Sequence, residues 1–206
     1  MKIKTLLGLA FILTITFGAK AQEFGVRVGG NVSSTISETN GVNIISDNVF
    51  GFHLGATGIM PIGENLKING SLLYYQKGAK TEFEIFNITT IRTFTYNYLH
   101  MPLALEYSFN GDQLAPYIQA GPYFSYTLGA KNNENGETLD IGNDQEDDLA
   151  PFDMGLNFGA GIDYQQFRLG ISYELGLANT FPSGEDGNDT RNNRSFNLNV
   201  SYFFNR

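Results

Sequence analysis

The stretch FRLGISYELGL, residues 167–177, decides how the rest of the chain is read. Phe167, Leu169, Ile171, Tyr173, Leu175 and Leu177 take every second position, and Arg168, Gly170, Ser172, Glu174 and Gly176 fill the positions between. A period of two puts the sets on opposite faces of a β-strand. One face is greasy, and the other mixes glycine with charge. The pattern recurs on either side. Residues 194–204 set Phe196, Leu198, Val200, Tyr202 and Phe204 against Asn197, Asn199 and Ser201. Residues 152–164 set Phe152, Met154, Leu156, Phe158, Ala160, Ile162 and Tyr164 against Asp153, Gly155, Asn157, Gly159, Gly161 and Asp163. Earlier still, Leu99, Met101, Leu103, Leu105, Tyr107 and Phe109 alternate with His100, Pro102, Ala104, Glu106 and Ser108.

Carried along the chain, this reading gives eight strands, at 23–33, 49–62, 66–79, 91–109, 115–129, 152–164, 167–178 and 194–204. Helical periodicity is hard to find. The turns after the second, fourth and sixth strands are tight: Gly63-Glu64-Asn65, Asn110-Gly111-Asp112-Gln113 and Gln165-Gln166. The connections after the first, third, fifth and seventh are long and polar, at about 34–48, 80–90, 130–151 and 179–193. All long loops therefore fall at one end of an up-and-down meander. Outer-membrane barrels have this asymmetry, with short periplasmic turns and longer extracellular loops.

The two faces sharpen the choice. Eleven glycines on the polar face, among them Gly25, Gly55, Gly121, Gly155, Gly161 and Gly170, leave room inside a narrow barrel for a few long polar side chains. Aromatics such as Phe24, Tyr107, Phe109, Phe152, Tyr164 and Phe167 fall near strand ends on the greasy face, at girdle positions. The expected fold class is all-β: an eight-stranded antiparallel up-and-down transmembrane β-barrel. The competing solution turns the greasy face inward, as a soluble periplasmic lipocalin-like carrier of apolar ligands.

Composition removes other classes. The chain of 206 residues has no Cys, which excludes disulfide frameworks, Cys-ligated metal centres and a lipoprotein anchor. Its net charge of −8 argues against nucleic acid as a partner and against binding to an anionic membrane surface. At the start, Lys2 and Lys4 precede an apolar run from Leu6 to Ala19 that ends in the small-x-small site Ala19-Lys20-Ala21. Residues 1–21 read as a secretory signal peptide and 22–206 as the barrel domain.

The segments FGVRVGGNVSS (24–34), YLHMPLALEY (98–107), APYIQAGPYFSY (115–126), FDMGLNFGAGIDY (152–164) and FRLGISYELGLANT (167–180) resemble, in order and spacing, the PorT-like outer-membrane β-barrel family of Gram-negative bacteria, with an OmpX/OmpA-like eight-stranded barrel. The last strand, NLNVSYFF (197–204), resembles the terminal aromatic signal read by the barrel-insertion machinery, here followed by Asn205 and Arg206. The resemblance implies an integral outer-membrane protein and brings no catalytic residues or cofactor.

In this register Arg27, Lys67, Glu106, Asp153, Asp163, Arg168 and Glu174 face inward. A barrel this narrow has room for packed side chains and little else, so these charges are expected to pair as a polar plug. A narrow ion or proton path, and hence a channel or transporter role, is the alternative. His53 and His100 also face inward and could in principle activate Ser33, Ser71 or Ser108, but no GxSxG elbow or HExxH helix occurs and catalysis is not expected. The third long loop is acidic, with Asp144, Glu146, Asp147 and Asp148 as candidate cation ligands, yet it lacks the EF-hand spacing and reads as a solvated, charge-extended loop. The expected role is structural or surface-interacting, with outer-membrane lipid around the barrel and an extracellular protein or polysaccharide as possible loop partner.

Overall fold

A computed structural model of the chain describes residues 22–39, 41–85, 88–111, 113–144, 146–182 and 189–206. The expected leader, residues 1–21, lies outside the described residues. The strands are β1 (Glu23–Thr39), β2 (Val42–Ile45), β3 (Val49–Pro61), β4 (Leu66–Ile85), β5 (Ile88–Ser108), β6 (Ala115–Asn132), β7 (Phe152–Tyr164), β8 (Phe167–Gly176) and β9 (Thr190–Phe203). β1 and β3 to β9 follow one another around a single antiparallel sheet, and β1 also pairs with β9 from Gly25↔Phe203 to Glu38↔Thr190. That last pairing closes the sheet. The result is an eight-stranded barrel in which each strand of the ring is paired along both edges, so its backbone polar groups are satisfied without water, as a hydrocarbon environment requires.

The structure departs from the sequence reading at the loop end. Residues expected as loop at 34–48 continue β1 to Thr39 and form the short strand β2, which pairs with β1 from Ile36↔Ile45 to Thr39↔Val42. The loop expected at 80–90 is mostly strand, with β4 and β5 paired out to Ile85↔Ile88. Both hairpins are longer than a membrane crossing needs, and they mix apolar residues (Val42, Ile44 and Ile45 in β2, Phe83 and Ile85 in β4) with polar ones instead of continuing the apolar face of the spanning segments. A register shift between Asn97 and Tyr98 inverts the alternation on β6 near its upper end, leaving Leu128 outside and Ala130 inside.

The tight turns are as short as expected. Phe109 N–H donates to the Pro116 carbonyl (2.8 Å) and Ile62 N–H to that of Leu66 (2.9 Å), while Tyr164 pairs with Phe167 across Gln165 and Gln166. Gln165 adopts φ 52°, the left-handed conformation that such a two-residue hairpin needs at its first central position.

Burial is inverted relative to a water-soluble protein. Leu103, Leu169 and Leu198 on the outer surface are 45, 54 and 53% exposed, whereas Lys77, Glu106 and Arg168 in the lumen are at most 1% exposed. This overturns the soluble-carrier alternative, because the apolar face is outside and the charges are within. Aromatic girdles frame the apolar band. Edge-to-face pairs Tyr107–Phe109, Phe167–Tyr202 and Tyr202–Phe204 stand at the tight-turn end, and Tyr126–Phe152 at the loop end.

Candidate functional site in the barrel lumen

Near the tight-turn end, Arg168 of β8 engages two carboxylates at once. Its Nε and Nη2 donate to Asp163 Oδ1 and Oδ2 (2.6 and 2.7 Å), and its Nη1 and Nη2 donate to Glu106 Oε2 and Oε1 (2.7 and 2.9 Å). The planar guanidinium suits two bidentate contacts, and it also lies 4.0 Å from the centre of the Tyr117 ring. That ring packs over Gly161 and Gly170, where a Cβ would run into the tyrosine. Asn69 extends the cluster, donating to Glu106 (3.1 Å) and accepting from Arg27 Nη2 (3.4 Å), while Arg27 Nε donates to Ser201 Oγ (3.2 Å). Arg206 joins from the chain end, 2.7 Å from both Glu23 and Asp163.

Farther toward the loops, Lys77 of β4 is the centre of a second cluster. Its Nζ lies 3.1 Å from Glu174 Oε2 and 3.5 Å from Asp153 Oδ2, over the faces of Tyr75, Tyr98 and Tyr123. The rings replace water around a buried ammonium. Asn193 donates to Asp153 (2.9 Å) and Asn197 to Glu174 (3.4 Å), and the Tyr75 hydroxyl donates to Asn197.

The histidines are divided between partners. His53 Nε2 lies 2.8 Å from Asn199 Oδ1 with its ring stacked on Tyr75. His100 places Nδ1 2.8 Å from Ser125 Oγ and Nε2 3.1 Å from Glu174 Oε1. This is the connectivity of a serine–histidine–acid triad, but all three side chains are buried in the packed lumen and Glu174 also neutralises Lys77. The serines singled out from sequence lie elsewhere. Ser33 and Ser71 donate to the Gly78 carbonyl and Thr57, and Ser108 to Glu106.

The loop end is closed by the chain itself. Leu149 is buried with Tyr96, Tyr98 and Ala130, and Thr127 Oγ1 donates to the Ala150 carbonyl (3.1 Å). Arg191 Nη2 donates to the carbonyls of Asp148 (2.8 Å) and Thr180 (3.1 Å), tying the third loop to the fourth. The expectation of a charge-extended third loop is corrected here: its apolar residues pull it over the mouth. Its carboxylates serve the loop backbone. Asp147 accepts from Asp144 N–H (2.7 Å) and Asp148 from Asp140 N–H (3.0 Å), while Asp144 and Glu146 are exposed. No metal-holding group of carboxylates occurs among the described residues.

Glu106, Asp163 and Arg168 thus meet in one cluster, and Asp153 and Glu174 in another. Arg27 is held by hydrogen bonds rather than by a direct ion pair. Lys67 is a correction. It stands opposite Glu106 in register but is only half-buried at the rim and joins no ion pair among the described residues, because water reaches its ammonium and Arg168 occupies both Glu106 oxygens. Lys77 was not among the candidates. It shares the parity of Lys67 on the same strand, so alternation alone carried the signal.

The family described as outer membrane protein beta-barrel domain matches residues 19–182. The chain belongs to this family. It is an integral β-barrel protein of the Gram-negative outer membrane, and the long loops mark its extracellular end. Similar solved structures include Ail, the attachment invasion locus protein of Yersinia pestis (13% identity, 90% of this chain and 100% of that one, TM-score 0.42). Neisserial surface protein A is another (13% identity, 87% and 97% covered, TM-score 0.46). A third is the N-terminal β-barrel domain of Pseudomonas aeruginosa OprF (14% identity, 85% and 97%, TM-score 0.36). None of the curated proteins compared matches the chain.

Proposed function

We propose that this protein is a PorT-like member of the outer-membrane barrel family with a structural or surface-interaction role, a plugged lumen and no catalysis. Residues 1–21 serve as its secretory signal, and residues 22–206 form the barrel. The carrying observation is Lys77, held between Asp153 and Glu174 under three tyrosine rings. Such a group fixes strands from opposite walls and fills the axis that a solute would need. With the lumen filled and its mouth covered by Leu149, contact with an extracellular protein or polysaccharide falls to the loops. The burial of Ser125 supports a non-catalytic reading, since a nucleophile must be reached by its substrate.

Purified barrel in planar lipid bilayers tests the plug. The expected result is a silent membrane across both voltage polarities. Stable, ion-selective conductance that changes on Lys77→Met would replace the plug with the channel reading.

A further inference from the structure

The outer face of β9 is apolar from Phe204 up to Phe196, and the next outward residue is Arg194. Ten residues separate Arg194 from Phe204. At ~3.3 Å per residue and a tilt of ~45° they rise ~23 Å, close to the ~25 Å apolar band of such barrels. Arg194 therefore sits at the boundary of the outer leaflet. It is exposed and its side chain makes no hydrogen bond or ion pair with a described residue, whereas Arg191 is turned onto loop carbonyls and Lys80 lies 3.8 Å from Asp47.

Directly below Arg194 the barrel wall is indented. In register, Arg194 lies between Ser34 and Leu175, Phe196 between Val32 and Tyr173, and Leu198 between Gly30 and Ile171. Gly30, Val32, Phe50, Phe196 and Leu198 line a groove of about 280 Å³, with Gly30 as the gap in its wall. A Cβ at Gly30 would meet only the Gly51 carbonyl oxygen, at 3.9 Å, so neither the fold nor a close approach of strands requires glycine there. A groove just below the ~300–1,000 Å³ range of small-molecule sites takes one chain segment and not a bulky ring system.

We propose that this groove and Arg194 form a binding site for a phosphorylated glycolipid of the outer leaflet, of the lipid A class. One acyl chain lies over Gly30 between Phe50 and Phe196, and a sugar phosphate accepts from the Arg194 guanidinium. Charge complementarity selects this occupant. Its phosphates are carried on the sugars that bear the acyl chains, which places anion and chain as close together as Arg194 and the groove, ~7 Å apart along β9.

The test is native mass spectrometry of the full barrel released from micelles after exposure to lipid A, phosphate-free lipid A or phosphatidylglycerol. The wild-type chain is expected to retain one lipid A and to prefer it to both other lipids by about tenfold or more, the range of a charged hydrogen bond. Arg194→Gln is expected to erase the preference over the phosphate-free form, and Gly30→Leu to reduce retention of both forms of lipid A. A heat-dependent gel shift verifies that each variant is a closed barrel; Arg194→Gln, on an exposed side chain, decides the matter should Gly30→Leu fail to close. Equal retention of lipid A by wild type and Arg194→Gln overturns the proposal, and so does equal retention of phosphatidylglycerol by the wild-type chain.

Discussion

Lys77 of β4 and Glu174 of β8 meet across the barrel, Nζ to Oε2 3.1 Å, although three strands lie between theirs in either direction around the sheet. The contact is a transverse strut. It couples opposite walls where neither strand is hydrogen-bonded to the other, and it brings Asp153 and His100 to the same place.

Removing one member of a buried ion cluster leaves its partners charged and unpaired, which costs about 3–5 kcal/mol. Lys77→Met is expected to lose stability in that range, read as the urea midpoint of the heat-modifiable band. The double variant Lys77→Met with Glu174→Gln should recover part of the loss. An unchanged midpoint for the single variant would show that the strut does not form.

Arg168 grips Asp163 and Glu106 with both edges of a planar fork, and lysine cannot reproduce that geometry. Arg168→Lys keeps the charge and is expected to cost about 1.5–3 kcal/mol, the range of a charge-assisted hydrogen bond. Chemical denaturation in detergent measures it. A cost within error of zero would mean that charge alone holds the cluster.

Gly161 lies where a Cβ would collide with the Leu169 carbonyl and come within 2.6 Å of Tyr117 Cζ. Gly161→Ala is expected to cost about 1–3 kcal/mol by forcing the ring off Arg168. Gly30→Ala on the outer face serves as control and should be near neutral, because its Cβ has space.

Leu103, Leu169 and Leu198 point into lipid. Single cysteines there, in a chain that has none, should resist a water-soluble maleimide in intact membranes, while one at Asn133 should react from outside the cell. Ready labelling at any of the three leucine positions would mean that the faces are assigned the wrong way round.

Arg191 ties the third loop to the fourth through the Asp148 and Thr180 carbonyls. Arg191→Ala should speed protease cleavage within residues 133–151 on intact cells without lowering the urea midpoint of the barrel. Unaltered cleavage would assign the closure of the mouth to Leu149 alone.

Much of this was legible in the order of residues. The alternation at Phe167–Leu177 assigned Arg168 and Glu174 to one face and Leu169 and Ile171 to the other, and the unequal turns fixed the direction of the barrel. The hairpin extensions of β1, β4 and β5 were not legible, because a strand beyond the membrane need not continue the apolar face of the spanning segment and theirs mix apolar with polar residues. Leu149 was hidden for a related reason: it stands apart from Leu139 and Ile141, the other large apolar residues of the acidic loop, and shows no strand period with them.

Sequence by itself determined which side of the wall the side chains of an unbroken strand take, since such a strand has a period of two whatever surrounds it; the bulge that inverts β6 past Thr127 was not legible. Only the tertiary structure decided which inward residues meet. Lys67 and Lys77 share a strand and a face, yet one stands at the wet rim and the other is wedged between Asp153 and Glu174. Depth and partner follow from strand order, stagger and closure. These are properties of eight strands together, and no single segment carries them.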